Sequence, residues 1–97
     1  MAYRLRVSDR ATEEIGEAFD WYQEQQPGLG DEFLAALDSQ FRSILLMPRV
    51  YAQTQPGIRR ALLPRFPYGV FYAEKAEMIA ILAVIQTSRS PKRWPRK

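Results

Sequence analysis

Met78-Ile79-Ala80-Ile81-Leu82-Ala83-Val84-Ile85 is the stretch on which the fold turns. It is apolar at every position, whereas a strand with one wet face alternates, so it reads as a strand covered on both faces or central in a sheet. Two shorter runs precede it, Ile58 to Pro64 and Tyr68 to Glu74, separated by Arg65-Phe66-Pro67, with Ala76-Glu77 in the next turn. Upstream, the period changes. Phe33, Leu34, Leu37, Phe41, Ile44 and Leu45 recur at helical spacing from a candidate cap at Asp31 until Pro48 ends the pattern. Ala11, Ile15, Ala18, Phe19 and Tyr22 mark an earlier helix, with Ser8 or Asp9 as its N-cap and an end near Gln26. The breaker cluster Pro27-Gly28-Leu29-Gly30 joins the two, and so short a joint implies an antiparallel hairpin. Tyr3, Leu5 and Val7 alternate with Arg4 and Arg6 as in a half-buried strand, and residues 48–56 read as irregular.

The order is therefore β-α-α-β-β-β. This predicts an α+β fold, with a helix hairpin packed on one face of a small, mostly antiparallel sheet. Residues 1–97 read as a single domain with a basic C-terminal tail over 87–97.

Composition removes several chemistries. The chain has no cysteine, hence no disulfide, thiol nucleophile or thiolate metal site, and no histidine, the commonest general base and nitrogen ligand. No cofactor or metal site is expected. The opening Met-Ala-Tyr-Arg-Leu-Arg-Val is too polar and short for a signal peptide, and no apolar run approaches the roughly 20 residues of a membrane span. The expectation is a cytoplasmic protein with no membrane partner.

Charge is sorted along the chain. Residues 1–38 carry nine acids against three bases, or −6, and residues 39–97 carry two acids against eleven bases, or +9; the net +3 conceals this. Such sorting implies a cationic side suited to an anionic partner. On the first helix Glu13, Glu17, Asp20 and Glu24 form one column, read as a solvated face in preference to a docking surface for bases. Arg59 and Arg60 are neighbours on a strand, so they leave on opposite faces, one open and the other paired with helix acids. By alternation Arg59 and Arg65 are the better candidates to reach a partner, since Arg60 shares an apolar row with Leu62 and Pro64. The tail Arg89-Ser90-Pro91-Lys92-Arg93-Trp94-Pro95-Arg96-Lys97 mixes cations with an indole. That composition suits phosphates and a stacked base, and equally a solubilising end whose Trp94 folds back on the sheet. Candidate target-binding residues are thus Arg59, Arg60, Arg65, Arg89, Lys92, Arg93 and Trp94. Trp21 and Tyr22 read as core, both buried between hairpin and sheet.

Set in order, these pieces resemble the RelE/ParE superfamily of toxins from bacterial type II toxin–antitoxin systems. The residues that carry the resemblance are Ala18-x-x-Trp21-Tyr22, Pro27-Gly28-Leu29-Gly30 with Phe33, Pro48, Tyr51 and Arg59-Arg60. They continue through Phe66-Pro67-Tyr68-x-Val70-x-Tyr72 and Ala83-Val84 to Arg89-x-Pro91-x-x-Trp94. The ordered set spans essentially the whole chain. Many relatives have a histidine where this chain has Gln86.

The resemblance implies a growth-inhibiting toxin of the plasmid-stabilisation type. A cognate antitoxin would neutralise it within a hetero-oligomer. The superfamily divides between RelE-like members, which cut messenger RNA on the ribosome, and ParE-like members, which inhibit DNA gyrase without being nucleases. RNA cleavage needs groups that move protons and stabilise a phosphorane. Histidine is missing here, arginine is a poor proton carrier, and no tyrosine follows Tyr72. The non-nucleolytic branch is favoured. The alternative is a metal-independent endoribonuclease with Arg59, Arg65 and Arg89 around the scissile phosphate. A further alternative is an antitoxin-binding relic without toxicity, which Gln86 permits.

Overall fold

In the computed structural model, which describes residues 3–96, the apolar octet lies inside β5 (Met78–Gln86), between β1 (Arg4–Val7) and β4 (Tyr68–Lys75). Beyond β4 come β3 (Ile58–Leu62) and β2 (Gln53–Gln55), giving the sheet order β1-β5-β4-β3-β2. Only the β1–β5 pairing is parallel. The helices α1 (Asp9–Gln25) and α2 (Leu29–Leu46) pack on one face, and a short 3-10 turn, Pro91–Arg93, follows β5. The architecture is the expected α+β one, with β2 added in the stretch read as irregular. Gln53-Thr54-Gln55 has no apolar alternation to announce it; it is an edge strand whose register shifts against β3. No helix of the described residues is long and apolar enough to cross a membrane.

Ser8 is the N-cap of α1: its Oγ accepts from the Ala11 N–H at 3.0 Å and donates to the Leu82 carbonyl at 3.1 Å. α2 begins two residues before Asp31, because Gln23 of α1 supplies the cap instead. Its Oε1 accepts from the Gly28 and Gly30 N–H groups at 3.0 and 2.7 Å, tying the hairpin corner together. At Gly30 the two helices are in tight contact. A Cβ there would lie 2.6 Å from Gln23 Cγ and 2.8 Å from both Phe19 Cδ1 and Phe19 O.

The helix side of the sheet holds the larger core, built on Phe33, Ile44, Val70, Tyr72, Ile79 and Ile81, all essentially inaccessible. Tyr22, Phe33, Phe66 and Tyr68 interlock within it at centroid distances of 5.1–6.2 Å, mostly edge to face. Trp21 departs from expectation: the residue is 52% exposed. A helix turns about 100° per residue, so with Tyr22 aimed into the core its neighbour rotates out over the helix shoulder.

Why the octet reads as continuously apolar is explained by a bulge. Phe71 pairs with Ala83 and Tyr72 with Ile81, so Leu82 is an extra residue and alternation reverses there. Ile79, Ile81 and Val84 face the helices, while Ala83 and Ile85 join Ile58 and Phe71 in a smaller cluster on the other face. Side chains at the start of α1 bond the β5 backbone beside the bulge, where β1 has ended. Ser8 bonds the Leu82 carbonyl, and the Glu14 carboxylate accepts from the Val84 N–H at 2.9 Å.

The loop 47–52 is pinned rather than loose. Tyr72 donates to the Pro48 carbonyl at 2.7 Å, and burial pushes its phenol up to about 12. Arg49 grips Glu74 through Nε and Nη2 at 3.0 and 2.9 Å, and Tyr3 donates to the same carboxylate at 2.7 Å. Those bonds, Arg49 first, hold Glu74 at about 2.

Candidate functional site

The helices cover only one face, so the functional question concerns the other. Strand alternation puts Arg4 and Arg6 of β1, Arg60 and Leu62 of β3, and Phe71 and Lys75 of β4 there. Around them β5 presents Met78, Ala80, Leu82, Ala83 and Ile85. Among the described strand residues this face carries four cations and no carboxylate, phenol or imidazole. The acids lie elsewhere: six on α1, three on α2, Glu74 on the helix side and Glu77 in a turn. The acids are thus kept off the strand positions of this face, whose cations come from both halves of the chain, Arg4 and Arg6 from the first and Arg60 and Lys75 from the second.

Arg60 is the best-defined member. Its guanidinium lies 4.8 Å from the Trp94 ring centroid and 6.0 Å from that of Phe71, and the two rings are 5.4 Å apart. Gly69 makes this possible, since a Cβ there would stand 3.0 Å from Arg60 Cδ. The arginine lies flat across β4 because its neighbour has no side chain. The row expected to be apolar is apolar, and Arg60 is accommodated by aromatic faces instead of an acid.

The tail is fixed across this face. Ser90 caps the 3-10 turn, with Oγ accepting from Lys92 N–H at 3.2 Å. Arg10 donates to the Arg93 carbonyl, Trp94 packs half-buried on the Ile58–Phe71–Ile85 cluster, and Gln55 Nε2 donates to the Pro95 carbonyl at 2.8 Å. Of the two readings of Trp94, the ring folds back on the sheet. Lys97, the last residue of the basic tail, is outside the described residues.

The remaining candidates separate. Arg59 points to the helix side, donates to the Tyr51 carbonyl at 2.8 Å, and lines an open cleft of about 470 Å³ with Arg49, Gln53 and Glu74. Arg65 sits in the β3–β4 turn, bonded to Glu32 at 2.8 Å. Neither member of the Arg59-Arg60 pair meets a helix acid; Arg65 does, because the turn carries it to the start of α2. Arg89 and Arg93 line a second cleft of about 370 Å³ with Glu17, Trp21, Tyr68 and Gln86. Arg59, Arg65 and Arg89 accordingly stand at three different places and do not enclose a common point. Lys92 is exposed on the turn between the tail arginines.

What the sequence reading missed here is Trp21, Gly69 and the second cleft. Trp21 and Glu17 are four residues apart, a spacing that puts them side by side on a helix, and that was the available signal. Burial raises the Tyr68 phenol in this cleft above its ordinary value. No group of three or more acidic side chains able to hold a metal comes together among the described residues.

Comparison with known proteins gives a consistent picture. The family described as ParE toxin of type II toxin–antitoxin system, parDE, matches residues 5–91. The fold is similar to a chain of the chromosomal ParDE system from P. aeruginosa, with TM-score 0.77 and 19% identity over 87% of this chain and 95% of that one. It is also similar to the isolated RelE toxin of E. coli, with TM-score 0.68 and 21% identity over 94% and 90% of the two chains. At these identities the structural likeness carries the fold alone. No curated protein gives a significant sequence match.

Proposed function

The chain belongs to the ParE toxin family of type II toxin–antitoxin systems, and from that premise we propose that it inhibits DNA gyrase without cutting nucleic acid. The effector surface is the helix-free face with the tail strapped across it. A cognate antitoxin neutralises the toxin in a cytoplasmic hetero-oligomer, and the single domain needs no cofactor.

One observation carries this reading. The face that gathers unpaired cations holds no group suited to shuttling a proton near neutral pH: its strand positions offer Arg4, Arg6, Arg60 and Lys75 among apolar residues. Such a surface attracts an anionic macromolecule and fixes its register, which is binding work. Nuclease chemistry needs a base and an acid beside the phosphate. The tyrosines and carboxylates that could serve are on the helix side or in the clefts, away from Arg60. The separation of Arg59, Arg65 and Arg89 weighs in the same direction.

Induction in growing cells separates the alternatives. The expected result is relaxation of plasmid supercoiling with intact transcripts, prevented by co-expression of the antitoxin. Discrete breaks in messages on primer extension, with supercoiling unchanged, would put the endoribonuclease in its place. Unimpaired growth with folded protein present would leave only the antitoxin-binding relic.

A further inference from the structure

The cleft that holds Trp21 is not used by the reading above. It lies between α1 and the end of β5, at the border of the acidic helix layer and the basic tail. One wall is α1, with Glu17 and Trp21 one turn apart; the facing wall carries Arg89 and Arg93, with Tyr68 and Gln86 at the floor. Among the described residues Glu17, Arg89 and Arg93 take part in no ion pair, whereas Glu14, which also lines the cleft, pairs with Arg10 at 3.1 Å. Charges of both signs therefore face each other across a gap of about 370 Å³ without meeting.

Trp21 is held out on a rigid support. Its ring stands edge-on to Tyr22 at 5.1 Å, and Tyr22 is locked among Phe33, Phe66 and Tyr68. A fixed, half-exposed tryptophan beside unpaired arginines has the composition of an interface hot spot. A carboxylate at i,i+4 from an indole offers a guanidinium both a face to stack on and an acceptor.

We propose that this cleft is a docking site for a protein segment in which an arginine is followed within a few residues by acidic side chains. The arginine lies on Trp21 against Glu17, and the acids reach Arg89 and Arg93. Glu13, Asp20 and Glu24, which share the Glu17 column of α1, extend a negative field along the approach and favour a basic anchor. The same carboxylates repel phosphate, which sets the site apart from one for nucleic acid.

The test uses the full-length, isotope-labelled protein, whose two indole N–H resonances are assigned with Trp21→Phe. The probe is a capped hexapeptide containing one arginine followed by two glutamates. The Trp21 signal shifts saturably and the Trp94 signal stays put. Replacing the peptide's arginine by glutamine removes a cation–π contact and a charge-assisted bond and weakens binding about tenfold, and Glu17→Gln in the protein, which removes the charge-assisted bond alone, weakens it several-fold. Glu17 is exposed, so the variant keeps its fold, which the dispersion of the same spectrum verifies. An unmoved Trp21 signal at millimolar peptide, equal binding of the glutamine peptide, or a matching response to an RNA hexanucleotide would overturn the proposal. The titration needs no toxicity, so its failure and failure of the gyrase reading are separately visible.

Discussion

Removing the Trp94 ring should cost the fold, not merely an exposed decoration. The indole is half-buried on Ile58, Phe71 and Ile85. Tryptophans bury up to about 200 Å² on folding and well over half of this one is covered, so roughly 130 Å² is at stake here, or ~3 kcal/mol at about 25 cal/mol per Å². The tilted pairing with Phe71 at 5.4 Å adds about 0.5 kcal/mol or more. Trp94→Ala is therefore expected to destabilise the protein by about 3.5 kcal/mol, and with a urea m-value of about 1.5 kcal/mol/M the midpoint falls by ~2 M. Far-UV circular dichroism reads this without depending on the deleted fluorophore. Arg60→Ala and the double variant complete a cycle, and the guanidinium 4.8 Å from the ring should give a coupling of about 0.5–1 kcal/mol. A Trp94→Ala midpoint equal to wild type, or zero coupling to Arg60, would mean the tail does not pack and would refute the strapped-face description.

Three further outcomes follow from the same geometry. Tyr72→Phe removes the donor to the buried Pro48 carbonyl and should cost about 1–2 kcal/mol in thermal or urea unfolding. Gly30→Ala places a methyl against Phe19 and Gln23 and should cost about 1–3 kcal/mol, outweighing the roughly 1 kcal/mol that alanine gains in an unhindered helix. Glu74, held at about 2 against an ordinary 4.5, contributes stability that is present above pH 4.5 and lost as pH falls toward 2. Glu74→Gln should therefore unfold at lower urea than wild type at pH 6, with the gap closing as acid is added.

Periodicity carried the architecture because each element has one buried stripe. The α1 positions 11, 18 and 22 and the α2 positions 33, 37 and 44 are buried as spaced. It could not carry details settled between elements. Gln23 caps α2 from the preceding helix, and no spacing rule assigns a glutamine to a helix it does not belong to. Leu82 reverses the alternation of β5, yet in a run of eight apolar residues the reversal leaves no trace in the pattern. Arg60 lies down on aromatic rings because Gly69 stands diagonally across on β4, a cross-strand fact, whereas the sequence offered only its apolar row and suggested an acid partner. The charge sorting was legible for a physical reason: helices and strands occupy separate segments of the chain and separate layers of the fold. Nine of the eleven acids fall on the two helices and so on one side, but the four strand cations of the other face include Arg4 and Arg6 from the acidic half, and Arg49, Arg59 and Arg65 of the basic half bond on the helix side.

The most direct measurement is a supercoiling assay with purified gyrase and three proteins: wild type, a variant of the helix-free face, and a variant of the helix layer. With Arg4, Arg6 and Lys75 changed to glutamate, inhibition should be lost while the circular dichroism spectrum is unchanged. With Glu13 and Asp20 changed to their amides, inhibition should persist. Full inhibition by the first variant, or none by wild-type protein at any concentration, would contradict the assignment of the cationic face as the effector surface.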